Sequence, residues 1–364
     1  MDKSGIGELL RQLVSADGPS GSEEAVGSLV KELSGSFVDE ARIDALGNTI
    51  LRRAPRPQAA PAGRIMLAAH MDEIGLVVTR IDRGFLHIGK IGGVDPRLIL
   101  GQTVTLYPSG PSSESYPDGL PGYIGSRPPH VLPLEERERV IPLQDLRVDL
   151  GLAPELVGSG FIRVGDRVAV SGPYTELLGG RIASKAMDNR ASVAAMLGAL
   201  GYLDSMMHSW EVYGVATSQE EIGLRGATAG AWAVAPDLAI AIDVTFAEQP
   251  GIDDSETIAM DQGPAIGWGP NLHPGIVRAL RETADALEIP YVLDPQPGAT
   301  GTDAWCIQIT GQGIPTGLLS IPVRNMHSPV ETVALSDIDR TARLLAAFIG
   351  RLDAEILNRL PEEV

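Results

Sequence analysis

Two adjacent carboxylates, Glu220 and Glu221, lie in Thr217-Ser218-Gln219-Glu220-Glu221-Ile222-Gly223, directly after the apolar run Val212 to Ala216. Neighbouring residues at the end of a strand point in different directions, so one acid can hold a metal while the other faces a bound water. His70, Asp243 and His327 also stand at or just after apolar runs that read as strands, and Asp188 stands in a turn ahead of a helix. Open α/β sheets collect ligand sites beyond the carboxyl ends of their strands, and a helix start favours a carboxylate. Two imidazoles and four carboxylates suit zinc, cobalt or manganese. Two such ions ~3.5–4 Å apart would need an anionic bridge. Asp72, two residues after His70, is placed to fix the imidazole tautomer. Taken singly, each residue also has a plain structural reading, as a solvated acid, a turn cap or a core histidine. His87, His130, His208 and His273 lack carboxylates in an equivalent strand-end setting and read as structural.

The elements that must carry these residues follow from the periodicity. Apolar positions Ile6, Leu9, Leu10 and Leu13 predict a first helix. Ser20 and Glu23 form a capping-box pattern ahead of a second, and strand-like sequence spans Val38 to Leu51. Ile65 to Ala69 is a continuous apolar run, as in a strand buried on both faces, and it ends at His70. From Ile74 to about Val170 short β-like runs alternate with Gly and Pro, with a helical period only near Leu143 to Leu150. Residues 74–170 therefore read as an inserted β domain, with a surface loop from Tyr107 to Gly122. Residues 1–73 and 171–364 read as one α/β unit. In its second part we expect a helix over Ala191 to Leu203 and a strand from Leu238 ending at Asp243. A helix follows over Pro274 to Leu287, then strands at Tyr291 to Leu293 and Leu318 to Val323. Thr302-Asp303 opens a short helix, and Ser336 with Asp339 caps a last helix running towards Leu357.

Bulk properties narrow the function. A length of 364 residues supports a large core, and 44% hydrophobic with 21% charged residues is ordinary for a soluble enzyme. The net charge of −18 disfavours nucleic acid and anionic membrane surfaces, and favours divalent metals and free amino groups. The single cysteine, Cys306, excludes an internal disulfide, and no signal-peptide or membrane-spanning run is evident. The expected location is cytoplasmic.

Several motifs occur in a telling order: His70-Met71-Asp72-Glu73-Ile74-Gly75, Lys185-Ala186-Met187-Asp188-Asn189-Arg190, Glu220-Glu221-Ile222-Gly223, Ala241-Ile242-Asp243-Val244-Thr245 and His327-Ser328-Pro329-Val330-Glu331. With Gly301-Thr302-Asp303-Ala304 and Ser126-Arg127-Pro128-Pro129-His130, this series resembles the glutamyl aminopeptidase family of dinuclear metallopeptidases, which includes the tetrahedral aminopeptidases. The resemblance spans nearly the whole chain. It implies a mixed sheet flanked by helices with an inserted small β-barrel-like domain used for oligomerisation, from dimers to dodecamers. It implies two divalent ions, zinc or cobalt first and manganese third. His70 and Asp243 would hold one ion, Glu221 and His327 the other, and Asp188 would bridge. Glu220 would be the general base, Asp72 would orient His70, and the substrates would be peptides cut at the N-terminal residue. Asn189 and Asn325 depart from the family pattern, where Asp and Tyr are common. A deacylase or carboxypeptidase on the same site is the rival enzyme, with Arg190, Arg225 or Arg324 to anchor a carboxylate. A non-catalytic, metal-stabilised assembly protein is the rival of another class.

Overall fold

The computed structural model describes residues 2–57, 60–109 and 114–356. Helix α1 (Lys3–Ser15) begins at Asp2, whose side chain accepts from the Gly5 N–H. Helix α2 (Glu24–Ser34) follows, and then strands β1 (Glu40–Ile43), β2 (Thr49–Arg53) and β3 (Arg64–His70). Along β3, Ile65, Leu67 and Ala69 join one apolar cluster while Met66 and Ala68 join another. That period of two, apolar on both faces, is why the run is continuous and why the strand lies in the middle of the sheet.

The chain then forms β4 (Gly75–Asp82), β5 (Phe85–Ile91), β6 (Thr103–Tyr107), β7 (Leu120–Gly125), β8 (Arg147–Asp149) and β9 (Arg167–Val170). These close as a barrel in the order β4-β5-β8-β7-β6-β9 around an apolar core of their own. The helical reading of Leu143 to Leu150 is corrected here. Only a 3-10 turn over Leu143–Asp145 forms, and Val148 then alternates into the barrel core as part of β8. The loop expected from Tyr107 ends at Leu120, where β7 begins; its residues 110–113 lie outside the described residues.

Beyond the barrel come β10 (Thr175–Leu177), β11 (Arg181–Ser184), α3 (Met187–Leu203), β12 (Glu211–Thr217), α4 (Arg225–Val234) and β13 (Leu238–Phe246). The last part adds β14 (Ala265–Trp268), α5 (Pro274–Ala286), β15 (Val292–Pro295), α6 (Asp303–Ile307), β16 (Thr316–Arg324), β17 (Glu331–Ala334) and α7 (Leu335–Arg351). The 11-stranded mixed sheet runs β1-β2-β12-β3-β13-β16-β17-β11-β10, with β14 and β15 branching from β16. Helix α3 is buried on all sides, apolar round its whole circumference as a central helix must be. Helix α4 packs over the other face through Ala227, Ala231 and Val234. No described helix is long and apolar enough to cross a membrane.

Three further expectations are corrected. Strand β13 continues three residues past Asp243 to Phe246, because its parallel pairing with β16 extends that far. Ser20 and Glu23 do not form a capping box: the Ser20 hydroxyl donates to Asp72 at 2.6 Å, and Glu23 accepts from the Gly21 and Gln219 N–H groups. Ser336 and Asp339 do not cap α7, since Ser336 donates to Asp261 and Asp339 accepts from the Tyr202 hydroxyl. Leu357 lies outside the described residues.

Candidate metal centre and active site

Strand register brings the site together. Strands β3 and β12 run parallel with His70 opposite Thr217. Strands β3 and β13 run parallel with Ala68 opposite Ala241, and two residues further on each strand lie His70 and Asp243. Side chains alternate along a strand, so these two share one face and one end of the sheet. Asp188 enters from the start of α3, where its ψ of 100° is not yet helical. His327 follows β16 at a φ of 60°, a left-handed conformation uncommon outside glycine.

The two histidines converge on Asp188. His70 Nε2 is 3.1 Å from one Asp188 carboxylate oxygen, and His327 Nε2 is 3.3 Å from the other. Asp243 Oδ1 lies 3.8 Å from His70 Nε2, and Glu221 Oε1 lies 3.3 Å from His327 Nε2. Two donor groups result, His70-Asp188-Asp243 and Asp188-Glu221-His327, sharing Asp188; a third grouping of His70, Glu220 and Glu221 overlaps both. Donors held by one ion at bond lengths of ~2.0–2.2 Å in tetrahedral geometry stand roughly 3.3–3.6 Å apart. The separations within the first two groups bracket that value, so the residues fit a pair of ions. Glu220 Oε2 is more distant, 3.9 Å from His70 Nε2.

Charge supports the same reading. Burial pushes the Glu220 carboxyl up to about 10, with Asp243, Asp303 and Glu221 adding repulsion against the attraction of His70. Burial likewise raises Asp243 and Glu221. Hydrogen bonds to Asp188 and Glu221 carry His327 up to about 11. Burial works to raise Asp188, but its bonds to both imidazoles outweigh that and hold it well below the usual carboxylate range. So many acids in one desolvated cavity need either bound protons or cations, and divalent ions would supply the cations.

Around this centre a set of buried carboxylates holds the backbone that carries it. Asp72 is fully buried. Its Oδ1 accepts from the Glu220 N–H at 3.0 Å and its Oδ2 from the Glu221 N–H at 3.2 Å. Glu23 takes the preceding Gln219 N–H, so three successive amides of the strand-end loop each donate to a carboxylate. The Asp72 carboxylate also lies 3.5 Å from His70 Nδ1, and its own carbonyl is nearer at 3.3 Å. Glu331, also buried, accepts the His327 N–H at 2.7 Å with one oxygen and the Asp188 N–H at 3.0 Å with the other. The barrel contributes by close approach. A Cβ on Gly93 would sit 2.3 Å from His327 Nδ1, and one on Gly92 would sit 3.1 Å from Glu221 Oε2.

The sequence assigns Glu23, Glu331, Gly92 and Gly93 no part in the metal centre. Two adjacent glycines after a strand do signal close backbone approach, and Glu331 closes the motif that holds His327. Glu23, two residues after Gly21 and far from the other site residues, carries no comparable local sign. Asn189 donates through Nδ2 to the Ile242 carbonyl at 2.9 Å, a bond an ionised aspartate could not make. Asn325 sits in the left-handed region with its N–H on Gln249. Arg190 is fully buried, donating to the carbonyls of Met71, Leu13 and Ala16, and is unavailable to a substrate. The cleft over the centre encloses about 700 Å³, and neither Arg225 nor Arg324 lines it. Among the other histidines, His273 caps α5 through Nδ1, and His208 sits between Trp210 and Arg53.

A helix-flanked mixed sheet, an attached closed barrel and paired histidine–carboxylate groups at the strand ends define a hydrolase of the metallopeptidase class. The sequence profile described as M42 glutamyl aminopeptidase matches residues 47–344, and the chain belongs to that family of peptide-bond hydrolases, which use divalent metals. A lysyl aminopeptidase of Pyrococcus furiosus is 36% identical over 95% of this chain and 97% of its own. The solved aminopeptidase APDkam598 of the archaeon Desulfurococcus kamchatkensis is 40% identical, superposes with a TM-score of 0.88 and covers 98% of both chains. A TET1 peptidase of Pyrococcus horikoshii, described as assembling into a tetrahedron or a large octahedral shell, is 29% identical with a TM-score of 0.81. That match covers 95% of this chain and 100% of the other.

Proposed function

We propose that this aminopeptidase works through two divalent ions, with Glu220 as general base. The observation that carries the reading is Asp188, whose two oxygens face the Nε2 atoms of two different histidines at 3.1 and 3.3 Å. His70 and Asp243 would hold one ion and Glu221 and His327 the other, with Asp188 shared between them. The mixed imidazole and carboxylate donor set suits zinc or cobalt, with manganese third. Bound there, such ions would supply Lewis acidity and lower the pKa of a water towards neutral pH.

The chain's own residues do the rest. Glu220 takes a proton from the attacking water as the C–O bond forms. It returns that proton to the leaving nitrogen as the C–N bond breaks. Burial and neighbouring acids raise the affinity of Glu220 for a proton, as this shuttle requires. Asp72 keeps the base aimed by holding its backbone N–H. The acid-rich cleft attracts the free α-amino group of a peptide, which favours cleavage at the N-terminal residue. Among the described residues, no Lys or Arg lines the cleft to receive a terminal carboxylate, which disfavours the carboxypeptidase alternative.

Glu220→Gln tests the base. The variant should retain two ions by elemental analysis and lose nearly all turnover of aminoacyl p-nitroanilides; full activity would sink the assignment. Adding zinc, cobalt and manganese separately to stripped protein identifies the working metal. We further propose that residues 74–170 form the oligomerisation domain of a homo-oligomer, from dimer to dodecamer. The shells described for the Pyrococcus horikoshii relative support this. A monomer by light scattering at micromolar concentration would overturn it.

A further inference from the structure

The metal centre determines that a peptide bond is cut, but not which N-terminal residue is accepted. The family is described by glutamyl activity, while the Pyrococcus furiosus relative is named for lysyl activity. Selectivity must therefore come from the remaining walls of the cleft. Part of that wall is strand β15 and the residues after it, including Val292, Leu293, Asp294 and Gln296. Leu293 and Phe246 both line the cleft and are 39% and 44% exposed.

Asp294 is the charged group among these wall residues. It is half-buried, and its carboxylate accepts from the Gln296 side-chain amide at 2.8 Å. Among the described residues no cation pairs with it, and burial raises its pKa with nothing but the Gln296 bond opposing. A partly desolvated carboxylate with no cation partner on the protein is completed by a cation on the ligand. The second acid on the wall, Glu256, is exposed and adds negative potential, and among the described residues no lysine or arginine lines the cleft to oppose it. A cleft wall that offers both apolar surface and an acid matches a side chain with a long methylene stem and a cationic head. A glutamyl side chain at this wall would meet Asp294 and Glu256 with no lysine or arginine among the described lining residues to balance its charge.

We propose that Asp294 selects peptides with a basic N-terminal residue, lysine or arginine. This specificity rests on the aminopeptidase reading above and narrows it. The side chain of the first residue lies along the apolar wall, and its ammonium or guanidinium pairs with Asp294. The reaction itself is unchanged.

The test uses the full-length, metal-loaded protein with lysyl, arginyl, leucyl and glutamyl p-nitroanilides, compared by kcat/KM. The wild type should favour lysyl and arginyl over leucyl by about tenfold or more, with glutamyl poorest. Asp294→Asn keeps shape and removes charge, and should cut the lysyl-to-leucyl ratio by about tenfold, chiefly through KM. Asp294→Lys should reverse the lysyl-to-glutamyl order. A wild type that prefers leucyl or glutamyl substrates overturns the inference and leaves the aminopeptidase reading standing. So does an Asp294→Asn variant with an unchanged lysyl-to-leucyl ratio. Cleavage of none of the four substrates by metal-loaded protein removes both.

Discussion

Replacing Glu331 with glutamine should loosen the metal centre although Glu331 touches no ion. Its two oxygens accept the backbone N–H groups of His327 and Asp188 at 2.7 and 3.0 Å. One carboxylate thereby sets the spacing between Asp188, the proposed bridge, and His327, a proposed ligand of the second ion. Both partners are donors, so both bonds require the ionised form. Burial and the Asp188 charge raise the Glu331 pKa, and the hydrogen bonds from the Asp188 and His327 N–H groups oppose that rise. The amide of glutamine keeps one acceptor oxygen and turns an NH₂ towards the other N–H. One charge-assisted bond is lost, and a buried donor is left unpaired, at a cost of about 1.5–3 kcal/mol. If the folded protein recovers that energy by letting His327 shift, the loss appears as weaker metal binding. At about 1.4 kcal/mol per tenfold, the second ion should bind roughly 10- to 100-fold more weakly. Equilibrium dialysis with elemental analysis measures this directly, with circular dichroism to check the fold. A folded Glu331→Gln protein that keeps two ions at wild-type affinity would refute the positioning role.

Two other perturbations test the surroundings. Gly93→Ala places a methyl 2.3 Å from His327 Nδ1. The ring must move, so activity should fall by more than about tenfold together with loss of one ion; retention of both ions with full activity would show that the loop yields instead. His208 tests acid stability away from the centre. Burial lowers its pKa below the ordinary 6.5, aided by Arg53 and Arg56, while Nδ1 bonds the Trp210 carbonyl. The folded state thus favours the neutral ring. Its stabilising contribution is complete above pH 6.5 and is lost as pH falls through the depressed folded value. The Tm of His208→Gln should therefore fall less steeply below pH 6.5 than that of wild type; parallel curves would contradict the assignment.

The candidate ligands were legible because each stands in a local pattern. Apolar runs mark the ends of β3, β12 and β16, and a polar, metal-capable residue just beyond such an end is visible without coordinates. Asp243 was legible for a related reason, although its strand runs past it. The barrel was legible as a change of texture, but Leu143 to Leu150 was misread because three residues of strand are too few to establish a period of two. Ser20 and Glu23 were misread as a helix cap since a capping box is defined by spacing alone. In the fold, better partners from distant strand ends claim both side chains.

Sequence by itself determined the chemistry on offer: which residue types could bind metal or move a proton, and where most of the strands and helices run. Those are properties of residue type and local period. Tertiary structure decided the pairings. Parallel register set Asp243 beside His70, and the left-handed turn at His327 brought a second imidazole to Asp188. It also decided that Asp72, Glu23 and Glu331 serve the backbone under the centre, and that glycines from the barrel close against it. The physical reason is distance along the chain. Asp72 and Glu220 meet across 148 positions, and Asp188 and Glu331 across 143. No local period carries information over such separations; only the packed sheet does.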